Sequence, residues 1–160
     1  MAGNDQQQSI VLKRLTGKLD IIIEDALLAN AAKFDCKYIG AVNGIKFSTG
    51  APYGSSTYGE FEDFGDGYLF DPVTIKSTEK GMMGYSLSKF AMGSTNNITV
   101  EIRCYAINNK LIVKKIVNKV HVYSNKRTIV RGKLFTNSSQ ASFNVTVNSD
   151  WNPETENVNF

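Results

Sequence analysis

Apolar and polar residues alternate with a period of two in short runs along most of the chain, and Asn, Gly and Ser turns separate the runs. In the clearest run, Ile98, Val100, Ile102 and Cys104 occupy one set of alternate positions, with polar residues between them. This pattern is typical of strands that bury one face. Nine or so such runs at this spacing predict an all-β fold of two packed sheets.

The predicted strands are residues 9–15, 18–23, 34–42, 44–48, 68–76, 82–88, 97–107, 110–123, 127–136 and 141–147. Gly17 separates the first two, which form one long strand with a bulge or two pieces. Residues 24–33 are too short for a stable helix and are predicted to form a loop with one helical turn. Asn43-Gly44 suits a two-residue hairpin turn.

The last two predicted strands each have a plain apolar face. Residues 127–136 are expected to turn Thr128, Val130 and Leu134 inward. Residues 141–147 are expected to do the same with Phe143, Val145 and Val147. Both strands therefore contribute to the predicted core.

Residues 49–67 interrupt the alternation with many Gly and Ser residues and are predicted to form a long surface loop. Four aromatic residues in this stretch either anchor the loop to the sandwich or stack against a bound sugar. Anchoring is the more common role of apolar side chains in long loops. The candidate ligand-binding residues are Tyr53, Tyr58, Phe61 and Phe64.

The sequence contains few of the side chains that enzymes use for catalysis. His121 is the one histidine, so a catalytic triad, a multi-histidine metal site or a histidine base would each depend on it. It stands between Val120 and Val122, and alternation directs it away from those two side chains. We expect no enzymatic activity, no cofactor and no metal site. Cys36 and Cys104 are predicted to be buried free thiols, with a disulfide between them as the alternative.

The net charge of +3 conceals a basic stretch between residues 110 and 133 that contains no acidic residue. It is either the solvated face of a sheet, where lysines also discourage edge pairing, or an anion-binding surface. Single-strand binders place several aromatics among their basic residues, whereas only Tyr123 lies here, so no nucleic-acid partner is expected. The basic residues are Lys110, Lys114, Lys115, Lys119, Lys126, Arg127, Arg131 and Lys133.

The chain is expected to hold a single domain. Residues 1–8 are predicted to be a disordered or artificial leader, residues 9–148 the β-sandwich, and residues 149–160 a tail or terminal strand. No apolar window approaches the ~20 residues of a membrane-spanning helix. The first residues lack the basic and apolar regions of an export signal.

Two segments resemble a known family. Leu12, Arg14, Gly17, Lys18 and Leu19 fit a Leu-x-Arg-x-x-(small)-Lys-hydrophobic strand. Residues 122–136 fit a hydrophobic-x-x-Asn-x-x-Thr-x-hydrophobic-x-Gly-x-Leu-(Phe/Leu)-Thr block, which is interpreted as a hairpin in which the glycine permits a bulge or a close backbone approach. Both patterns are similar to those of fimbrillin-type proteins, the subunits of type V pili in Gram-negative anaerobes.

The resemblance implies a transthyretin-like, Greek-key sandwich that is exported as a lipoprotein and joined to other fimbrial subunits at the cell surface by exchange of a β-strand. A lipid anchor would lie outside this chain, which lacks the lipobox cysteine and is about half as long as the usual two-domain members. The predicted function is therefore a non-enzymatic structural or adhesive subunit of a fimbrium. A sandwich that binds a carbohydrate or a host protein is the alternative.

Overall fold

The computed structural model describes residues 14–49, 51–55, 68–69, 72–92, 97–136 and 143–148. These residues form strands and one short 3-10 helix, Ser77–Glu79. The all-β prediction is confirmed. The strands are β1 (Thr16–Ile23), β2 (Ala31–Ile39), β3 (Val42–Ile45), β4 (Pro52–Ser55), β5 (Tyr68–Leu69), β6 (Val73–Thr74), β7 (Tyr85–Met92), β8 (Asn97–Ala106), β9 (Leu111–His121), β10 (Arg127–Gly132) and β11 (Asn144–Asn148).

Two main sheets build the sandwich. The first has four strands in the order β11-β10-β1-β7, and the second has five, with β5-β2-β8-β9 in order and β6 also paired to β2. Strands β3 and β4 form a separate two-stranded sheet. The predicted two-sheet architecture and the predicted number of strands in it are thereby confirmed.

The core lies between the two main sheets. Leu19 and Ile21 of β1 are fully buried, as are Val100 and Ile102 of β8, and all four belong to one hydrophobic cluster. The ring of Phe34 on β2 lies 5.5 Å from that of Tyr85 on β7, which joins the second sheet to the first. The inward face predicted for residues 97–107 is therefore the core face of β8.

Both cysteines are buried in the second sheet, and neither forms a disulfide. Burial raises the pKa of the Cys104 thiol to about 11, so the thiol remains protonated at neutral pH. The prediction of buried free thiols is confirmed, and the alternative of a Cys36–Cys104 bridge is wrong. Thiols of this kind are chemically inert as long as the core stays closed.

The hairpin predicted for residues 122–136 is wrong. Strand β9 belongs to the second sheet and β10 to the first, so the chain crosses from one sheet to the other between them. The crossing turns at Asn125, whose φ is 57°. At the crossing the Thr128 hydroxyl donates a hydrogen bond of 2.6 Å to the carbonyl oxygen of His121. Strand β10 pairs in parallel with β1, from Lys18 opposite Arg127 to Ile23 opposite Gly132.

Gly17 does not form the predicted bulge. Strand β1 pairs with β7 without a register shift from Thr16 to Ile23, and Gly17 lies opposite Ala91. The glycine is required by the turn between β9 and β10. A Cβ at Gly17 would lie 2.7 Å from Cγ1 of Val122 and even nearer to the carbonyl oxygen of Tyr123.

Three local predictions between residues 24 and 67 also need correction. Residues 24–30 form a loop as predicted but without the helical turn, and β2 begins at Ala31. Asn43-Gly44 lies within β3, and the chain turns earlier, at Gly40, whose φ is 81°. Part of the predicted long loop is strand β4, which pairs with β3. A positive φ is required at the turn itself, and Gly40 supplies it.

Asp20 is a buried carboxylate on the outer face of β1. Its side chain is 1% exposed and accepts hydrogen bonds of 2.5 Å from the Ser88 hydroxyl and 2.5 Å from Nε of Arg127. Lys18 Nζ lies 3.3 Å away. Burial alone raises the pKa of Asp20, but the hydrogen bonds from Ser88, Arg127 and Lys18 outweigh it and hold the pKa below its ordinary value.

The Asp20→Asn variant is expected to be less stable than the wild type by about 2 kcal/mol at pH 7, because it loses charge-assisted hydrogen bonds. A carboxyl whose pKa is lowered by folding stabilises the native state above its unfolded pKa, and this stabilisation is lost as the pH falls through the folded pKa. Urea unfolding should therefore show a smaller difference in stability between the wild type and Asp20→Asn at pH 3 than at pH 7. Glu24→Gln, at an exposed ion pair with Arg131, is the control and should change stability little. An equal difference in stability between the wild type and Asp20→Asn at both pH values would contradict the stabilising role of the Asp20 carboxylate.

Candidate functional site

Strand β11 forms one edge of the first sheet and leaves apolar side chains uncovered. Val145 pairs with Val130 and Val147 pairs with Thr128. Val130 and Thr128 are fully buried on the core side of β10. Directly opposed residues share a face of the sheet, so Val145 and Val147 also point to the core side. They are nevertheless 37% and 40% exposed.

The exposure follows from the unequal extent of the two sheets. The contact between Thr128 and His121 sets β9 against β10, and no strand in the described part of the second sheet continues past β9 on this side. The prediction that Val145 and Val147 are buried is therefore wrong. Phe143 is partly buried against the core and lies close to Gly132, where a Cβ would be 2.8 Å from its ring. The close approach expected at that glycine is confirmed.

On the side of β11 that faces away from β10, no strand of the described part of the chain pairs with it. All five residues of β11 are exposed. Its sequence, Asn-Val-Thr-Val-Asn, holds neither a charge nor a proline. A regular, uncharged edge strand with exposed apolar side chains is a template for pairing with another strand.

In contrast to β11, both edges of the second sheet are protected against the addition of a strand. Strand β9 has two register shifts against β8, and Lys119, at one of them, has a φ of 59°. Lys114 and Lys115 add charges along the same strand. The opposite edge consists of β5 and β6, each two residues long. Bulges, lysines and short strands are the usual means by which sheets avoid adding a strand.

The basic stretch does not form one surface. Arg127 and Arg131 bind Asp20 and Glu24 on the first sheet, whereas Lys114 lies 4.0 Å from Glu101 on the second. These three cations are thus divided between the two sheets and paired with carboxylates, as on the solvated exterior of a sandwich.

The remaining sequence-predicted site residues are placed only in part. Tyr53 lies in β4, while Tyr58, Phe61 and Phe64 are outside the described residues. His121 ends β9 and stacks on Tyr123, with 3.9 Å between ring centroids. The described residues contain no group of three or more His, Cys, Asp or Glu side chains that could hold a metal ion.

Among the described residues, no helix has the length and hydrophobicity needed to cross a membrane. A protein-family model described as a family of unknown function (DUF6562) matches residues 1–160. No curated protein shows a significant match to the chain.

Proposed function

The chain belongs to the DUF6562 family, and we propose that it is a non-enzymatic structural subunit of a cell-surface fimbrium. In this proposal it joins its neighbours by accepting a β-strand at β11. The observation that carries the proposal is the open edge of β11, with Val145 and Val147 exposed on the core side. The fimbrillin-like patterns at residues 12–19 and 122–136 support the same role. A lipid anchor outside this chain would attach the assembly to the membrane.

An added strand would satisfy two needs of β11. Its main chain would pair with the N–H and C=O groups that face away from β10. Its alternate side chains would stand beside Val145 and Val147, about 5 Å away, and cover them on the core side. An apolar-polar alternation in the incoming strand is therefore the requirement for binding.

Concentration-dependent assembly of the whole chain tests the proposal. We expect the wild type to form oligomers in analytical ultracentrifugation and the double variant Val145→Lys/Val147→Lys to remain monomeric, because lysines at these positions block strand addition. Since both valines are substantially exposed, the variant should unfold at nearly the same urea concentration. Amide hydrogen exchange in β11 should slow on assembly of the wild type.

Thr146→Lys is the matched control. Thr146 pairs with Ile129 and lies on the other face of β11 from the two valines. It adds one charge to β11 but leaves the two valines in place, and it should assemble more readily than the double variant. A wild type that is monomeric at every concentration, or a double variant that still assembles, would refute strand addition at β11.

A further inference from the structure

An open groove of about 850 Å³ lies at the end of the sandwich where β2 and β9 begin. Ala29, Ala32 and Ala106, here called the alanine floor, contribute small side chains to its lining, together with Ile112 and residues around the 3-10 helix. Ala31 also lines the groove but is fully buried in the core. The groove is far from Asn148, the residue at which β11 ends, because β9 runs the length of the sandwich between them.

Two irregularities of the second sheet lie at this groove. The register between β2 and β8 shifts between Ala31 and Lys33, and the register between β8 and β9 shifts between Cys104 and Tyr105. Both strands that flank β8 are thus bulged near its end. Bulges are enriched where a sheet must bend around a binding site.

The described lining of the groove carries only positive charge. Lys80 and Lys110 are the charged residues of its described lining, which contains no carboxylate. Asn30, Thr74, Ser77 and Asn108 supply amide and hydroxyl groups around the apolar floor. An apolar floor with two ammonium groups is complementary to a ligand that combines an aliphatic body with negative charge.

The surroundings favour a ligand larger than the groove itself. Ile107 lines the groove at the tip of the turn between β8 and β9 and is 90% exposed, and Leu111 beside it is 45% exposed. A small molecule held on the alanine floor would leave Ile107 in water. A polypeptide would cover the floor and this isoleucine together, as apolar anchors at protein interfaces do.

We propose that this groove binds an acidic peptide segment of a partner protein. An aliphatic side chain of the segment rests on the alanine floor, carboxylates of the segment approach Lys80 and Lys110, and the partner covers Ile107. This site goes beyond strand addition at β11, because it lies at another part of the molecule and requires no sheet pairing.

Two blocked peptides with the same Val-Leu-Val centre, one flanked by Glu residues and the other by Lys residues, test the groove on the whole chain. We expect the acidic peptide alone to shift the NMR methyl signals of Ala29, Ala32 and Ala106. Raising the salt concentration should weaken this binding. Lys80→Glu/Lys110→Glu should weaken binding of the acidic peptide at least tenfold. Lys46→Glu/Lys133→Glu makes the same change in net charge at two other exposed lysines and should change the affinity less than twofold.

A second variant keeps the test decisive if charge reversal disturbs folding. Ala29 is an exposed turn residue, so Ala29→Leu should fill part of the groove without harming the core and should abolish peptide binding. Unmoved alanine methyl signals, or an affinity that is unchanged by charge reversal and by Ala29→Leu, would overturn the proposal. Binding of octanoate with no binding of either peptide would also overturn it and would assign the groove to small aliphatic acids. The Val145→Lys/Val147→Lys variant should bind the acidic peptide normally, which separates this result from the outcome at β11.

Discussion

Replacement of Asp25 by alanine is expected to lower the free energy of unfolding by about 3 kcal/mol, because several donors lose their acceptor at once. The Asp25 carboxylate accepts hydrogen bonds from three consecutive backbone N–H groups, those of Leu134 at 2.9 Å, Phe135 at 2.6 Å and Thr136 at 3.0 Å. The Thr136 hydroxyl donates a further bond of 3.3 Å. Asp25 therefore fastens the chain that leaves β10 to the loop that follows β1.

Urea unfolding followed by circular dichroism measures this effect. Asp25→Asn retains one acceptor oxygen and should lose about half as much stability as Asp25→Ala. Glu24→Ala is the neighbouring control, since its ion pair with Arg131 is 3.7 Å long and exposed, and it should cost less than ~0.5 kcal/mol. Equal losses of stability in Asp25→Ala and Glu24→Ala would show that the hydrogen bonds from the backbone to Asp25 stabilise the fold no more than an exposed ion pair does.

Gly17→Ala is expected to lower the free energy of unfolding by about 3 kcal/mol, because the new methyl group meets atoms that cannot move aside. The nearest of these is the backbone carbonyl oxygen of Tyr123, and Cγ1 of Val122 lies 2.7 Å from the position of the Cβ. The backbone here is held on both sides, since the Lys18 N–H donates to the carbonyl of Lys126 at 2.9 Å and the Asn125 N–H donates to that of Thr16 at 2.9 Å.

Thermal unfolding of Gly17→Ala beside Gly81→Ala separates steric conflict from backbone strain. Gly81 has a φ of 80° and no described atom within 4 Å of an added Cβ, so its substitution should cost about 1 kcal/mol from conformation alone. The melting temperature should fall two to three times as far for Gly17→Ala. A fall no larger than that of Gly81→Ala would mean that the turn between β9 and β10 yields to the methyl group.

Local alternation was sufficient to predict the strands but not their partners. The core face of β8 and the burial of Thr128 and Val130 follow from a period of two, which any half-buried strand shows. The turn at Asn125 was also predictable, yet the same turn residue serves a hairpin and a crossing between sheets. Parallel pairing of β1 with β10 joins distant parts of the sequence, and no local pattern encodes it.

Alternation also predicts the face of a strand without predicting what covers that face. Val145 and Val147 point inward as expected, but their exposure depends on how far the second sheet extends, which is a property of the whole fold. The signal for an open edge was present in the uncharged Asn-Val-Thr-Val-Asn sequence of residues 144–148, since protected edges carry lysine, proline or a bulge. That signal identifies an edge only when the strand order is known.

The groove at the start of β2 and β9 has no signature in the sequence. In the sequence, Ala29 and Ala32 indicate only weak helical propensity. Their role in the groove appears only when residues 74–80 and the turn at Ile107 are brought beside them. Lys80 and Lys110 likewise come from separate elements. Sites assembled from loops and strand ends depend on tertiary structure, which periodicity does not report.

The central position of β1 determines the order in which the chain can fold during synthesis. Strand β1 is the first of the described strands to be made, and its neighbours in the sheet, β7 and β10, come much later. Strands β2, β8 and β9 can form the second sheet while β10 is still absent. Until β7 and β10 emerge, Leu19, Ile21 and Ile23 form an unpaired apolar strand, the kind of segment that aggregates or recruits a chaperone. A nascent chain halted before residue 85, where β7 begins, should therefore need such a holding partner, whereas the completed sandwich should not.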